Sequence, residues 1–252
     1  MLRRWAPISL FLAAGLVAGC QTHASDVAPV ITAQGPAGTQ ANSGGADLLT
    51  MNDKTLGAQL LQAASGGDAA QVRQLLAQGA PVDAIQPPLA DTPLLLAVRG
   101  NHVQVARSLL MHGANPNFQN AIDDSAFLLS GALGRTELVR MMLSYGANLK
   151  ITNRFGGTAL IPACERGHVE TAQVLMAAGV DVNHVNRLGW TCLMEAVVLG
   201  RGGPEHQAII RALIEGRADL NLPDKDGVTA LAHARQRNQA EVVKLLQAAG
   251  AR

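Results

Sequence analysis

The sequence predicts an all-α solenoid of about six stacked helix-turn-helix units joined by short β-hairpin turns, and three observations lead there. A phrase close to TPLLLAVRGNHVQVARSLLMHGANPN, beginning at Thr92, recurs through most of the chain. Its anchor falls at Ala58, Thr92, Ser125, Thr158, Thr191 and Thr229, giving steps of 34, 33, 33, 33 and 38 residues. A fixed period in this range marks a stacked array, whose product is a surface. Apolar content of 48% with only 3% aromatics suits thin Ala/Leu/Val helix layers rather than one large core.

Each unit follows from local chemistry. Five of the six anchors are Ser or Thr, whose hydroxyl accepts an orphan amide hydrogen at a helix start, and Pro93 after Thr92 is pre-set for the first helical position. Five residues on comes a small side chain (Ala63, Ala97, Ser130, Ala163, Ala196, Ala234), so a partner helix can approach closely. Nine residues after the anchor stand Gly67, Asn101, Gly134, Gly167, Gly200 and Asn238, types that end a helix in the left-handed conformation. A second helix buries Leu75, Leu109, Met142, Leu175, Leu213 and Leu246 in turn, and ends at Gly79, Gly113, Gly146, Gly179 and Gly250, with Arg217 as the exception. Between units lie the turns NRFGGT, NRLGWT and DKDGVT, where Gly156, Gly189 and Gly227 supply positive φ.

In TPL, the Gly167-His168 step, the LL pairs, GANPN and GVDVN, the chain resembles the ankyrin repeat family over about residues 53–252. The copies divide as about 53–86, 87–119, 120–152, 153–185, 186–223 and 224–252. Two departures stand out. The histidine that the family often carries three positions after the anchor is replaced by Leu95, Leu128, Ile161, Met194 and Ala232, and the fifth copy holds an extra RGGPE, Arg201 to Glu205, which lengthens the loop between its helices. That loop reads either as a tolerated insertion or as a contact device.

The amino terminus has Arg3 and Arg4, an apolar run from Trp5 to Val17, and then VAGC. The run is shorter than the roughly 20 residues a spanning helix needs, so residues 1–19 read as a secretory signal. LRRWAP lacks the rest of a twin-arginine pattern. The VAGC run resembles the lipobox of bacterial lipoproteins, which implies cleavage before Cys20, lipidation of that cysteine and anchoring by several acyl chains. Gln21 in place of Asp resembles the outer-membrane sorting pattern, so the expected location is the periplasmic side of the envelope. Residues 20–52, rich in Ala, Gly, Ser, Thr and Gln, read as a flexible tether spanning on the order of 30 Å.

A net charge of +1 with 15% charged residues lacks the basic stripe of a nucleic-acid binder. Three cysteines, with Cys20 lipidated, leave Cys164 and Cys192. They lie six and one residues after their anchors, an offset that predicts a Cα separation beyond the disulfide limit near 7 Å and hence two buried free thiols. His102, His168 and His206 share one repeat position and read as framework. His112, His184 and His233 lack ligands at metal spacing, so no metal and no cofactor is expected. No G-x-S-x-G elbow, phosphate-cradling loop or paired-carboxylate signature points to catalysis or to a small-molecule substrate.

By the family resemblance, hairpin tips and the exposed ends of first helices line a concave groove. Carried over, the partner-binding positions are Ile122, Leu133, Arg154, Phe155, Glu165, Arg166, Arg187, Leu188, Trp190, Val198 and Leu199. Phe155 and Trp190 lie on adjacent hairpins beside Arg154 and Arg187, the residue types that binding hot spots favour. The alternative reading makes both aromatics structural plugs packed onto neighbouring hairpins. The polar run from Gln236 to Gln247 closes the array. The expected function is that of a monomeric, lipid-anchored, non-enzymatic adaptor for a periplasmic protein. Resemblance to other bacterial ankyrin proteins adds an immunity protein against a secreted effector such as a phospholipase, or an accessory to an oxidative-stress enzyme. A purely structural envelope scaffold is the remaining alternative.

Overall fold

The computed structural model describes the backbone from Gly44 to Arg252 and side chains from Asp53 onward. The signal segment, Cys20 and most of the tether lie outside the described residues. Twelve helices follow in order among those described: α1 (Gly44–Gly66), α2 (Ala69–Ala77), α3 (Pro93–Gly100), α4 (Val103–Met111), α5 (Ala126–Ala132), α6 (Thr136–Ser144), α7 (Leu160–Glu165), α8 (Val169–Ala177), α9 (Cys192–Val198), α10 (Pro204–Glu215), α11 (Ala230–Gln236) and α12 (Ala240–Ala248). Odd helices pack on odd and even on even, while each pair packs on itself, so the stack has two helical layers. Its core runs unbroken from Leu56 to Leu246. The first helix reaches back to Gly44, into the segment read as tether.

The predicted caps form at four anchors. Thr92, Ser125, Thr191 and Thr229 accept from the amides of Leu95, Leu128, Met194 and Ala232. Thr158 does not, and Pro162 explains it. In the other four copies the anchor carbonyl accepts from the amide four residues on, as from Leu96 to Thr92 and from Glu195 to Thr191. Proline has no such N–H. The Ile161 amide therefore turns to the Thr158 carbonyl at 3.3 Å, and the buried Thr158 Oγ1 is left without a partner among the described residues. As a result α7 starts late, at Leu160.

Four of the five turns between repeats are each held by one side chain. Asn120, Asn153, Asn186 and Asp224 use Oδ1 to accept from the amides two and four residues on, which closes the hairpin without a strand ladder. The single β-bridge among the described residues joins Gln86 to Asp91. On the opposite edge, side chains bind the backbone of the next repeat: Asp83 accepts from Asn115 N, Asn117 from Asn148 N, Asn183 from Asp219 N, and Asn221 from Arg252 N. Lys150 occupies the position of the missing rung, and an ammonium has no acceptor to offer.

The framework histidines behave as their register predicts. His102 Nε2 donates to the Ser65 carbonyl at 3.1 Å and His206 Nε2 to the Glu165 carbonyl at 2.9 Å, while His168 bonds the Ala132 backbone, each reaching into the preceding repeat. Burial holds the His168 pKa below its usual value.

The insertion changes the expected helix end. Gly200 does not take the left-handed conformation; Gly202 does, at φ 65°. Pro204 and Glu205 enter α10 as its first residues, so less of the insertion is loop than predicted. Gln207 donates to the Gly202 carbonyl, and Gln239 from the last repeat reaches back to the carbonyls of Val197 and Gly200. Arg217, the exception among the closing glycines, adopts φ 58° despite its side chain.

The two free thiols are a correction. Cys164 and Cys192 form a disulfide with a Cα separation of 5.5 Å. The expectation of free thiols combines the five-residue offset with the usual spacing of about 8–10 Å between packed helices. An offset of five residues alone spans about 7.5 Å along a helix, so α7 and α9 are not in register. Buried Ala163 and Ala196, with nothing beyond Cβ, let the backbones come close.

Candidate functional site

A groove of about 520 Å³ opens along α5, α7 and α9 under the hairpins at Asn153 and Asn186. Its apolar walls come from Leu128, Leu129 and Leu133 on one side, Ile161 and Pro162 in the middle, and Leu188 and Leu199 on the other. The small residue of each first helix keeps these helices close, so the floor is built from their outward turns.

The groove gathers seven of the predicted contact residues: Leu133, Arg154, Phe155, Glu165, Arg166, Leu188 and Leu199. Arg154 lies 3.6 Å from Asp124 and 4.8 Å over the Phe155 ring, a cation-π pair on a rim aromatic that is 38% exposed. Arg166 donates to the Ala132 carbonyl, which fixes it across the α5 end.

The other four predicted residues lie elsewhere. Arg187 is a strut between hairpins, its side chain donating to the Arg154 carbonyl at 2.7 Å and its amide to the Phe155 carbonyl at 2.8 Å. Lys225 continues the line by donating to the Arg187 carbonyl. Trp190 is half-buried against the core and does not line the groove, which favours its plug reading over its use as an anchor. Ile122 is half-buried outside the groove. Val198 is a correction: it is buried, 6% exposed, because it faces the helix stack and leaves the groove to Leu199.

Sequence reasoning missed the most unusual residue. Glu195 is 4% exposed yet lines the groove floor. Its Oε1 accepts from Asn186 Nδ2 at 2.8 Å. Burial, then the nearby Glu165 charge, push its carboxyl up to about 7, against the pull of the Asn186 hydrogen bond. Burial also raises Glu165, which Arg166 partly offsets, and raises Asp124, which Arg154 and Arg99 partly offset. The available signal was positional. Glu195 stands four after its anchor, a column that reads Leu96, Leu129 and Pro162 in the three preceding copies. Among the described residues no group of three His, Cys, Asp or Glu side chains is arranged to hold a metal ion.

Comparison with known proteins decides the family. The family model for ankyrin repeats in three copies matches residues 126–222, and the single ankyrin repeat matches residues 91–121. A crystal structure of an ankyrin repeat domain from Acinetobacter baumannii AYE is 48% identical, with a TM-score of 0.74, covering 77% of this chain and 98% of that one. The chain belongs to the ankyrin repeat family. A second solved ankyrin repeat protein, EF0377, is 38% identical, with a TM-score of 0.73 and coverage of 76% of this chain and 97% of that one. The ankyrin repeat protein YahD of Escherichia coli K12 is 49% identical over 57 residues, 23% of this chain and only 28% of YahD. Ankyrin repeats generally serve as protein interaction modules without catalysis, and the two-layer stack with its groove is that architecture.

Proposed function

We propose that this chain is a lipid-anchored periplasmic adaptor that binds one protein partner in the groove over α5, α7 and α9 and carries out no chemistry itself. The observation that carries the reading is the groove, which joins apolar walls, an exposed Phe155 and fixed arginines on a rigid scaffold. The buried Cys164–Cys192 disulfide supports an oxidising compartment, in keeping with the signal segment and Cys20 read from the sequence. Photocrosslinking from positions 155 and 188 in the living bacterium, followed by mass spectrometry, tests the groove. A single protein crosslinked at both positions and lost on Leu133→Arg supports it; crosslinks indifferent to that change refute it. An immunity role is the special case in which that partner binds at nanomolar strength and deletion of this chain's gene is toxic. Cys20→Ala should move the protein from the membrane fraction to the soluble one.

A further inference from the structure

The arginines of the groove are already engaged. Arg99 pairs with Asp91 at 2.8 Å, Arg154 with Asp124, and Arg166 with the Ala132 carbonyl. The carboxylates of Glu165 and Glu195 are in a different state. Among the described residues neither forms an ion pair, the Glu165 carboxylate has no hydrogen bond, and Glu195 uses Oε1 on Asn186 while Oε2 has no partner. Glu195 is more than nine-tenths buried, yet belongs to the groove floor. A charge-bearing group placed so deep, with one oxygen bonded to no protein group and open to the cavity, is matched by a cation delivered from outside, and the low local dielectric strengthens that match. Leu129, Leu133 and Leu199 line the way in and suit an aliphatic stem.

We propose that the groove floor between α7 and α9 is a well for a lysine or arginine side chain carried, with apolar neighbours, on a segment of the protein partner. This rests on the groove being the binding surface. Glu195 takes the cation on Oε2 while Asn186 holds Oε1, and Glu165 supplies the second charge from the adjoining helix. Binding draws the proton off Glu195, so affinity rises with pH. The titratable or charged groups on the elements packed against α9 are Glu165 and Arg166 at α7, Glu205, His206, Arg211 and Glu215 on α10, and His233 and Arg235 on α11. Of these, Glu165 acts on the Glu195 carboxyl.

Short random peptides displayed on phage and panned against the full chain provide the probe. Selected binders that compete for the groove should carry Lys or Arg beside apolar residues. Their affinity should fall about tenfold or more on Glu195→Gln, and about tenfold from about pH 8 to about pH 6, with Glu165→Gln giving a smaller loss. Thermal melting confirms that each variant is folded. Groove binders without a basic residue, or with unchanged affinity for Glu195→Gln, overturn the well and leave the groove reading standing. Binders unaffected by Leu133→Arg overturn both.

Discussion

Cys164 in the last turn of α7 is bonded to Cys192 at the first residue of α9, and both side chains are buried. The bond therefore ties the fourth repeat to the fifth directly beneath the groove. Glu165 and Glu195 stand on the same two helices, so the staple also sets the spacing of the two carboxylates.

Opening this bond should cost stability. With the cysteines 28 positions apart in the sequence, removing the constraint on the unfolded chain is worth about 2–4 kcal/mol. Urea unfolding with and without reductant, and of Cys164→Ser with Cys192→Ser, should show that loss. Thiol counting on the denatured, unreduced protein should find neither cysteine free.

Glu195 should make the protein less stable at alkaline pH. Its folded pKa of about 7 lies above the usual 4.5, so its contribution is most favourable below about 4.5 and is lost as pH rises through about 7. The full difference is up to about 3 kcal/mol. Glu195→Gln, which keeps the Asn186 contact, should raise stability by about 1–3 kcal/mol at pH near 8 and change it little near pH 4. Denaturant titrations at both pH values measure this.

Trp190 and Phe155 should separate cleanly. Trp190→Ala removes a side chain packed on the core and should cost about 2–4 kcal/mol in unfolding free energy. Phe155→Ala, at an exposed rim position, should cost under about 1 kcal/mol while weakening partner binding. Equal melting losses for the two variants would contradict this assignment.

Arg217 and Lys150 mark two places where stability can be gained. Arg217→Gly relieves a left-handed residue and should add about 0.5–1 kcal/mol. Lys150→Asn supplies the missing acceptor between the third and fourth repeats and should add about 0.5–1.5 kcal/mol. Differential scanning calorimetry of both variants checks the sign.

The repeat register made the fold legible because caps, small residues and glycine stops each recur at a fixed offset. It also separated the framework histidines and found seven groove residues. It failed where packing in three dimensions, rather than spelling, decides the outcome. Pro162 silences the Thr158 cap, the closeness at Ala163 and Ala196 brings two cysteines together, and Val198 turns inward beside Leu199. Glu195 was visible as a charged residue where the three preceding copies are apolar, but the open cavity beside it exists only once three repeats are stacked.

The Asp and Asn rungs on the outer edge bear on how such a chain grows. Each joins a side chain closing one repeat to an amide 31 to 36 residues further on. A duplicated segment of one period brings one new acceptor and one new donor, so the ledger of polar groups stays balanced wherever the copy is inserted. The fifth copy, with its extra RGGPE, still keeps its rung, at a span of 36 residues. What copying preserves is thus the pairing of an acceptor with an amide as much as a length, and Lys150 shows that one copy lacking the acceptor is tolerated.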